Sequence, residues 1–252
     1  MKRLALASAC GLVVAVVFLS PDEAQAIELG TPASEHPYRS AQNFHLEIRF
    51  SPYRPQIDDD PKLNGATPYA KNFGTVPRFY FGMELDWQTF RIPYVGTIGP
   101  GVGVGRVGAG RDVKTVSGRN SADQTNLTIY PLFLVGVLRA DYLFHNLGFP
   151  LVPYAKVGVG AGIWRATDAS GTSSATNVSG KGTSWGTNVA IGLSFALDSI
   201  DPGASRNMDN ATGINATYLF FEGYWLSLNG IGQSNALHVG SNSWTTGLAF
   251  EF

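Results

Sequence analysis

The segment Trp244-Thr245-Thr246-Gly247-Leu248-Ala249-Phe250-Glu251-Phe252 alternates without a break. Trp244, Thr246, Leu248, Phe250 and Phe252 fall on one face of an extended chain, and Thr245, Gly247, Ala249 and Glu251 on the other, because successive strand side chains point to opposite sides. One face is apolar and the other small or polar, which predicts a strand greasy on one side. If that strand belongs to a sheet greasy on one side throughout, the pattern must recur upstream.

It recurs seven times. Phe44, Leu46, Ile48 and Phe50 alternate with His45, Glu47, Arg49 and Ser51, so strand one is apolar on one face and charged on the other. Strand two sets Phe79, Phe81, Met83, Leu85 and Trp87 against Tyr80, Gly82, Glu84, Asp86 and Gln88. After a turn near Pro93, strand three is a glycine ladder, Gly99, Gly101, Gly103 and Gly105, interleaved with Pro100, Val102 and Val104. Glycines repeated on one face leave room for bulky side chains opposite, such as Tyr80. Gly103 to Gly108 also spells a dinucleotide fingerprint, but the polar stretch Arg111 to Asn126 stands where its helix should begin and reads as a loop.

Strand four, Leu127 to Tyr142, predicts a change of phase. Leu127 and Ile129 face out with Thr128 and Tyr130 inward, and beyond Pro131 it is Leu132, Leu134 and Leu138 that face out, with Arg139 and Asp141 inward. A β-bulge at the proline accounts for the switch. A tight turn, His145 to Pro150, leads to strand five, where Pro153, Ala155, Val157, Val159, Ala161 and Ile163 oppose Tyr154, Lys156 and glycines. Arg165 to Thr183 reads as a loop. Strand six carries Trp185, Val189, Ile191, Leu193, Phe195 and Leu197 on one face. Asp201-Pro202 predicts the start of a short helix through about Asp209. Strand seven places Leu219, Phe221 and Trp225 out, with Tyr218, Phe220, Glu222 and Tyr224 in.

Spacing gives the architecture. Connections after strands one, three, five and seven hold roughly 15 to 23 residues and those after two and four under about ten, the long-loop, short-turn alternation of an even-numbered membrane barrel. The connection after strand six is longer than that rule wants. Trp87, Trp185, Trp225 and Trp244 lie near strand ends, where interfacial aromatics belong. The reading is all-β: an eight-stranded antiparallel up-and-down transmembrane β-barrel over residues 42–252.

Residues 1–26 read as a cleaved secretory signal peptide, with basic Lys2-Arg3, an apolar run from Leu4 to Leu19 and Ala24-Gln25-Ala26 before the cut. That run is shorter than the ~20 residues of a spanning helix. Residues 27–41 are expected as a periplasmic lead-in. The single cysteine, Cys10, sits inside the signal, so disulfides and thiolate chemistry are not expected. Charged residues are only 15% of the chain and the formal net charge is −1, which gives nucleic acid nothing to bind.

The pattern polar, any, Gly, any, any, aromatic, any, terminal aromatic, occupied by Thr245, Gly247, Phe250 and Phe252, resembles the C-terminal assembly signal of bacterial outer-membrane barrels. With the strand pattern, it makes the chain similar to the small OmpA-like or OmpW-like outer-membrane barrel proteins of Gram-negative bacteria. That resemblance implies integral outer-membrane placement, contact with outer-membrane lipids and lipopolysaccharide, engagement by the barrel assembly machinery, and a monomer. Family members stabilise the envelope, present loops outward or pass small solutes.

The inward positions collect Glu47, Glu84, Asp86, Asp141, Glu222 and Glu251 as acids and Arg49, Arg139 and Lys156 as bases, with His45 nearby. An eight-stranded barrel is just wide enough for side chains to fill, and buried charges must pair, bind ions or stay hydrated. The leading expectation is a structural or surface-interaction barrel plugged by this network, with a narrow conduit for small solutes as the alternative and a rim-located hydrolase third. His45 and Glu47 share a face at a spacing suited to base work. However, they belong near the periplasmic end, and no nucleophile elbow, zinc helix or phosphate loop is present. His36 lies in the lead-in, His145 at a periplasmic turn and His238 in the last loop without a carboxylate near it in sequence, so no enzyme activity is expected, and neither a cofactor nor a metal. Asp58-Asp59-Asp60 reads as a solvated acidic loop rather than a Ca²⁺ site.

Overall fold

The computed structural model describes residues 27–28, 43–114, 120–168, 171–175, 178–200, 202–233 and 235–252. The expected signal peptide, His36, the rest of the lead-in but for Ile27–Glu28, and the cap residue Asp201 lie outside these. Eight long strands make the sheet: β1 Phe44–Tyr53, β2 Arg78–Trp87, β3 Gly96–Lys114, β4 Asn120–Arg139, β5 Leu151–Asp168, β6 Lys181–Ala196, β7 Ala216–Ser227 and β8 Ser241–Glu251. Each pairs antiparallel with the next. The ring closes where β8 pairs with β1, from Thr246↔Phe50 to Glu251↔His45. Phe252 extends the seam: its N–H donates to the Phe44 carbonyl at 2.9 Å and its carbonyl accepts from the Phe44 N–H at 2.8 Å.

Alternation does the rest. Phe81, Met83, Leu85, Val102, Val157, Val159, Ile191, Leu193, Leu219 and Phe221 face outward and are exposed, while their sequence neighbours point into the lumen and are buried, save the half-buried Gly158 and Gly192. The result is a cylinder that offers hydrocarbon to its surroundings on every side, the reverse of a water-soluble barrel. Aromatics mark both ends of this band. Phe44 lies 6.5 Å from Trp87 and 6.1 Å from Phe252 at the terminal end, and Phe50 lies 5.6 Å from Phe81 and Phe221 5.7 Å from Trp244 toward the loop end.

Two expectations about β3 to β5 need correction. No phase change occurs at Pro131: Leu127 and Ile129 are buried, Tyr130 is exposed, and the β4–β5 register passes unbroken through Pro131↔Gly162. The β3–β4 ladder lapses at Gly105–Arg106, across from the proline that has no N–H to give, and resumes in the same register. Leu127 and Ile129 are apolar, but apolarity in a strand does not by itself place a residue toward lipid. They instead join Tyr53, Ile57, Tyr69, Tyr80, Val107, Leu226, Leu228 and Val239 in an apolar cluster that fills the loop end of the lumen. The second correction concerns Arg111–Asn126 and Arg165–Thr183. Much of both is strand, with β3 reaching Lys114, β4 starting at Asn120, β5 reaching Asp168 and β6 starting at Lys181. Strands of 19, 20 and 18 residues exceed the ~10 needed to cross a bilayer, so these hairpins project beyond the band, where neither face has a reason to be apolar.

Short helices finish the ends. The acidic run is not a solvated loop throughout: the Asp58 carboxylate accepts from the N–H groups of Tyr69 and Ala70 at 2.7 and 2.9 Å, so it caps α1, Pro68–Phe73, and seats Tyr69 over the loop end. At the other end α2, Tyr142–Leu147, replaces the expected turn and contains His145. It closes on Gly148 in the left-handed conformation and inserts Phe144 against Tyr218, 5.8 Å away. The helix expected near Asp201 is α3, Pro202–Thr212.

The glycine ladder is functional packing. A Cβ at Gly105 would lie 2.2 Å from the Tyr80 ring and one at Gly103 2.2 Å from the Phe133 ring, whereas one at Gly108 would meet nothing within 4 Å. Gly105→Val is therefore expected to lower stability in a urea titration of the lipid-embedded chain by about 1–3 kcal/mol, the usual cost of overpacking, and Gly108→Val by less than about 0.5 kcal/mol.

Candidate functional site

Strand register stacks the charges. One row across the wall runs Glu251, His45, Asp86, Gly101; the next runs Ala249, Glu47, Glu84, Gly103; the third runs Gly247, Arg49, Gly82, Gly105. The small residues in each row leave the lumen to the charged ones, and the opposite wall supplies Lys156 from β5, Glu222 from β7 and Arg139 from β4. All of these are buried.

Three clusters result. At the centre, Lys156 Nζ donates to Glu47 at 2.9 Å and sits 2.9 Å from Glu84 Oε1 and 3.2 Å from Glu222 Oε2. Arg49 donates to Glu47 at 2.7 Å and also to Glu84 and Glu222, with its guanidinium 5.6 Å from the Phe133 ring centre and 5.8 Å from that of Phe220. Two cations thus hold three carboxylates. Nearer the terminal end, Glu251 accepts from Gln88 Nε2 at 2.8 Å and from the Tyr218 hydroxyl at 2.6 Å. Arg139 lies over the rings of Tyr154 and Tyr218 and reaches His45 Nδ1 at 3.4 Å.

The third cluster departs from expectation. Asp141 lies just past the end of β4 rather than within it, accepts from Thr97 Oγ1 at 3.1 Å and has Arg91 Nη1 at 3.6 Å. Arg91 was missed because it follows the strand-two alternation, on the short segment Phe90–Ile92 that pairs beside β3.

Apolar lids close the lumen above and below the charges. The loop-end cluster described above covers one side, fixed by the Tyr53 hydroxyl bonding to the Val239 carbonyl, and Phe144, Val152, Tyr154, Tyr218 and Phe220 line the other. Between Arg49, Tyr80, Phe133 and Tyr224 there remains a cavity of about 20 Å³, room for roughly one water.

The expected assembly-signal residues divide between the faces. Thr245 is buried and its hydroxyl donates to the Phe50 carbonyl at 3.0 Å, and a Cβ at Gly247 would sit 1.8 Å from the Ile48 carbonyl oxygen. Phe250 and Phe252 stand on the outer face, Phe252 39% exposed beside Phe44. Of the remaining histidines, His238 is half-buried in the segment before β8.

Neither a protein-family model nor a curated protein sequence matches the chain. Among solved structures it is similar to Ail, the attachment invasion locus protein of Yersinia pestis, bound to the heparin analogue sucrose octasulfate, at 12% identity over 84% of this chain and 97% of that one, TM-score 0.42. Ail without that ligand gives 10% identity, the same coverages and a TM-score of 0.41. The N-terminal β-barrel domain of Pseudomonas aeruginosa OprF gives 13% identity over 84% of this chain and 100% of that one, TM-score 0.36. Likeness at this level says nothing about a shared role.

Removing one partner from a buried cluster strands the others. Arg49→Met is expected to cost about 3–5 kcal/mol in lipid-embedded urea unfolding, since Glu47, Glu84 and Glu222 would then share Lys156 alone. Arg54, exposed and 4.0 Å from Asp58, should cost less than about 1 kcal/mol when changed to Ala.

Proposed function

We propose that this chain is an integral outer-membrane β-barrel of a Gram-negative envelope, with a structural or surface-interaction role and a lumen plugged by its own charged side chains. The observation that carries the reading is a closed ring of strands whose outward residues are apolar all the way round. In water such a surface would aggregate; in a bilayer it is the required one, because a closed sheet leaves no backbone group unpaired in hydrocarbon. Among the described residues no helix is long and apolar enough to cross a membrane, so any crossing is by strands.

The sealed lumen supports a plug over a conduit. A solute would have to displace the Arg49 and Lys156 pairs and both apolar lids, and a cavity of about 20 Å³ admits nothing larger than water. The same burial argues against base chemistry at His45, which is 0% exposed. Toward the loop end the described parts of β3, β4, β5 and β6 run on past the band beside α1, and this end is suited to contact with lipopolysaccharide or with other molecules outside the cell. On this reading Thr245, Gly247, Phe250 and Phe252 engage the assembly machinery, which must grip the strand that closes the ring.

Two measurements test this. In planar bilayers the purified barrel should give no conductance steps of constant size, and regular steps would favour the conduit. Deleting Phe252 should lower the folded, heat-modifiable fraction recovered from outer membranes several-fold while Asp59→Ala leaves it unchanged, and equal recovery of the two would refute the assembly role.

A further inference from the structure

The charges inside the barrel do not balance. Arg49 and Lys156 meet Glu47, Glu84 and Glu222, Arg91 meets Asp141, and Arg139 lies against His45, Tyr154 and Tyr218. Among the described lumen residues, with every carboxyl ionised, the five acids Glu47, Glu84, Asp86, Glu222 and Glu251 face three bases, Arg49, Lys156 and Arg139, while Asp141 pairs with the partly exposed Arg91 at a strand end. Uncompensated buried carboxylates are costly, so the excess is met by a bound cation or by protons.

One residue locates the deficit. Asp86 is 2% exposed, and neither of its carboxylate oxygens has a hydrogen-bond donor. It is not pushed aside by crowding: Gly101, the next residue in its row, lacks the Cβ that would sit 2.2 Å from Asp86 Oδ1, so the carboxylate has space to point into the lumen. There it meets its partner in register, His45. His45 Nδ1 is 3.4 Å from Asp86 Oδ2 and 3.7 Å from Glu47 Oε1, and one donor atom from each residue lies within 4.8 Å of the other two. Donors bound at about 2.0–2.2 Å to one ion stand roughly 3–3.6 Å apart, so this trio is close to a coordination shell before any ion is added.

We propose that His45, Glu47 and Asp86 bind a divalent transition-metal ion of the zinc class inside the lumen. Resting on the closed-plug reading above, it adds a ligand to that plug. An imidazole joined to two carboxylates suits Zn²⁺, whereas Ca²⁺ and Mg²⁺ favour oxygen alone. Two positive charges also match the difference between the five lumen acids and three lumen bases. The ion takes the place of the 3.4 Å contact between Arg139 Nη1 and His45 Nδ1, and Arg139 keeps its seat over the Tyr154 and Tyr218 rings, 5.6 and 5.4 Å away. Because both lids are shut in the folded barrel, loading accompanies folding rather than following it.

The test uses the untagged chain, folded into lipid vesicles with and without ZnCl₂, with metal content measured after gel filtration and folding scored by heat-modifiable mobility. The wild type folded with zinc should hold roughly one ion per chain and melt at a higher temperature than the zinc-free sample. Asp86→Asn and His45→Gln should fold, hold at least about tenfold less zinc, and lose the shift in melting. Folded wild-type chain that takes up no zinc, or folded variants that take up as much as the wild type, overturn the site, with bound protons then supplying the missing charge and the barrel reading untouched. Should a variant not fold, the wild-type pair with and without zinc decides alone.

Discussion

A sheet placed in hydrocarbon cannot have an edge, and every other feature of this chain answers to that constraint. The pairing of β8 with β1 removes the last free row of N–H and C=O groups, from Thr246↔Phe50 down to the exchange of backbone bonds between Phe252 and Phe44. Once the ring is shut, parity decides each side chain's solvent. Residues such as Met83, Val157 and Ile191 go to lipid, and their neighbours Glu84, Lys156 and Ala190 go to the lumen.

Charges inside the ring serve that closure. A shift of one residue in any strand would turn its inward set outward, and an Arg or Lys at the bilayer midplane costs about 2–4 kcal/mol. Arg49, Lys156 and Arg139, each on a different strand, therefore penalise slippage of β1, β5 and β4 as well as holding carboxylates across the barrel. The apolar lids act in the same direction. By excluding water they make each unmatched pair more expensive, and they bind the loop segments to the barrel through Tyr53, Tyr69 and Phe144.

Most of the architecture was legible because lipid imposes a strict rule on the central part of each strand. Phe79 to Trp87 and Tyr218 to Trp225 could be assigned residue by residue from alternation alone. Legibility failed where that rule lapses. Leu127 and Ile129 are apolar yet inward, since the loop end of the lumen is dry, and the polar tips of β3, β4, β5 and β6 stand outside the band where no face need be greasy. Asp141 and Arg91 meet at a strand end, beyond the reach of parity. Asp58 serves as a helix cap through a contact with a segment eleven residues on, which no local pattern announces. The lumen charges within the strands could be picked out as inward candidates by alternation, but which of them touch depends on register and shear between strands far apart in sequence. The juxtaposition of His45 with Asp86 is the clearest case.

Closure of the ring can be measured directly. Ile48 and Leu248 face each other across the β1–β8 seam, and directly opposed strand residues lie within the span a disulfide bridges. In a Cys10→Ser background, which removes the only native cysteine, Ile48→Cys with Leu248→Cys should oxidise to an intramolecular disulfide in the lipid-embedded chain. The bridged chain should run as a more compact species after boiling without reductant. Free thiols in a folded, oxidised sample, or bridges only between separate chains, would contradict the closed barrel.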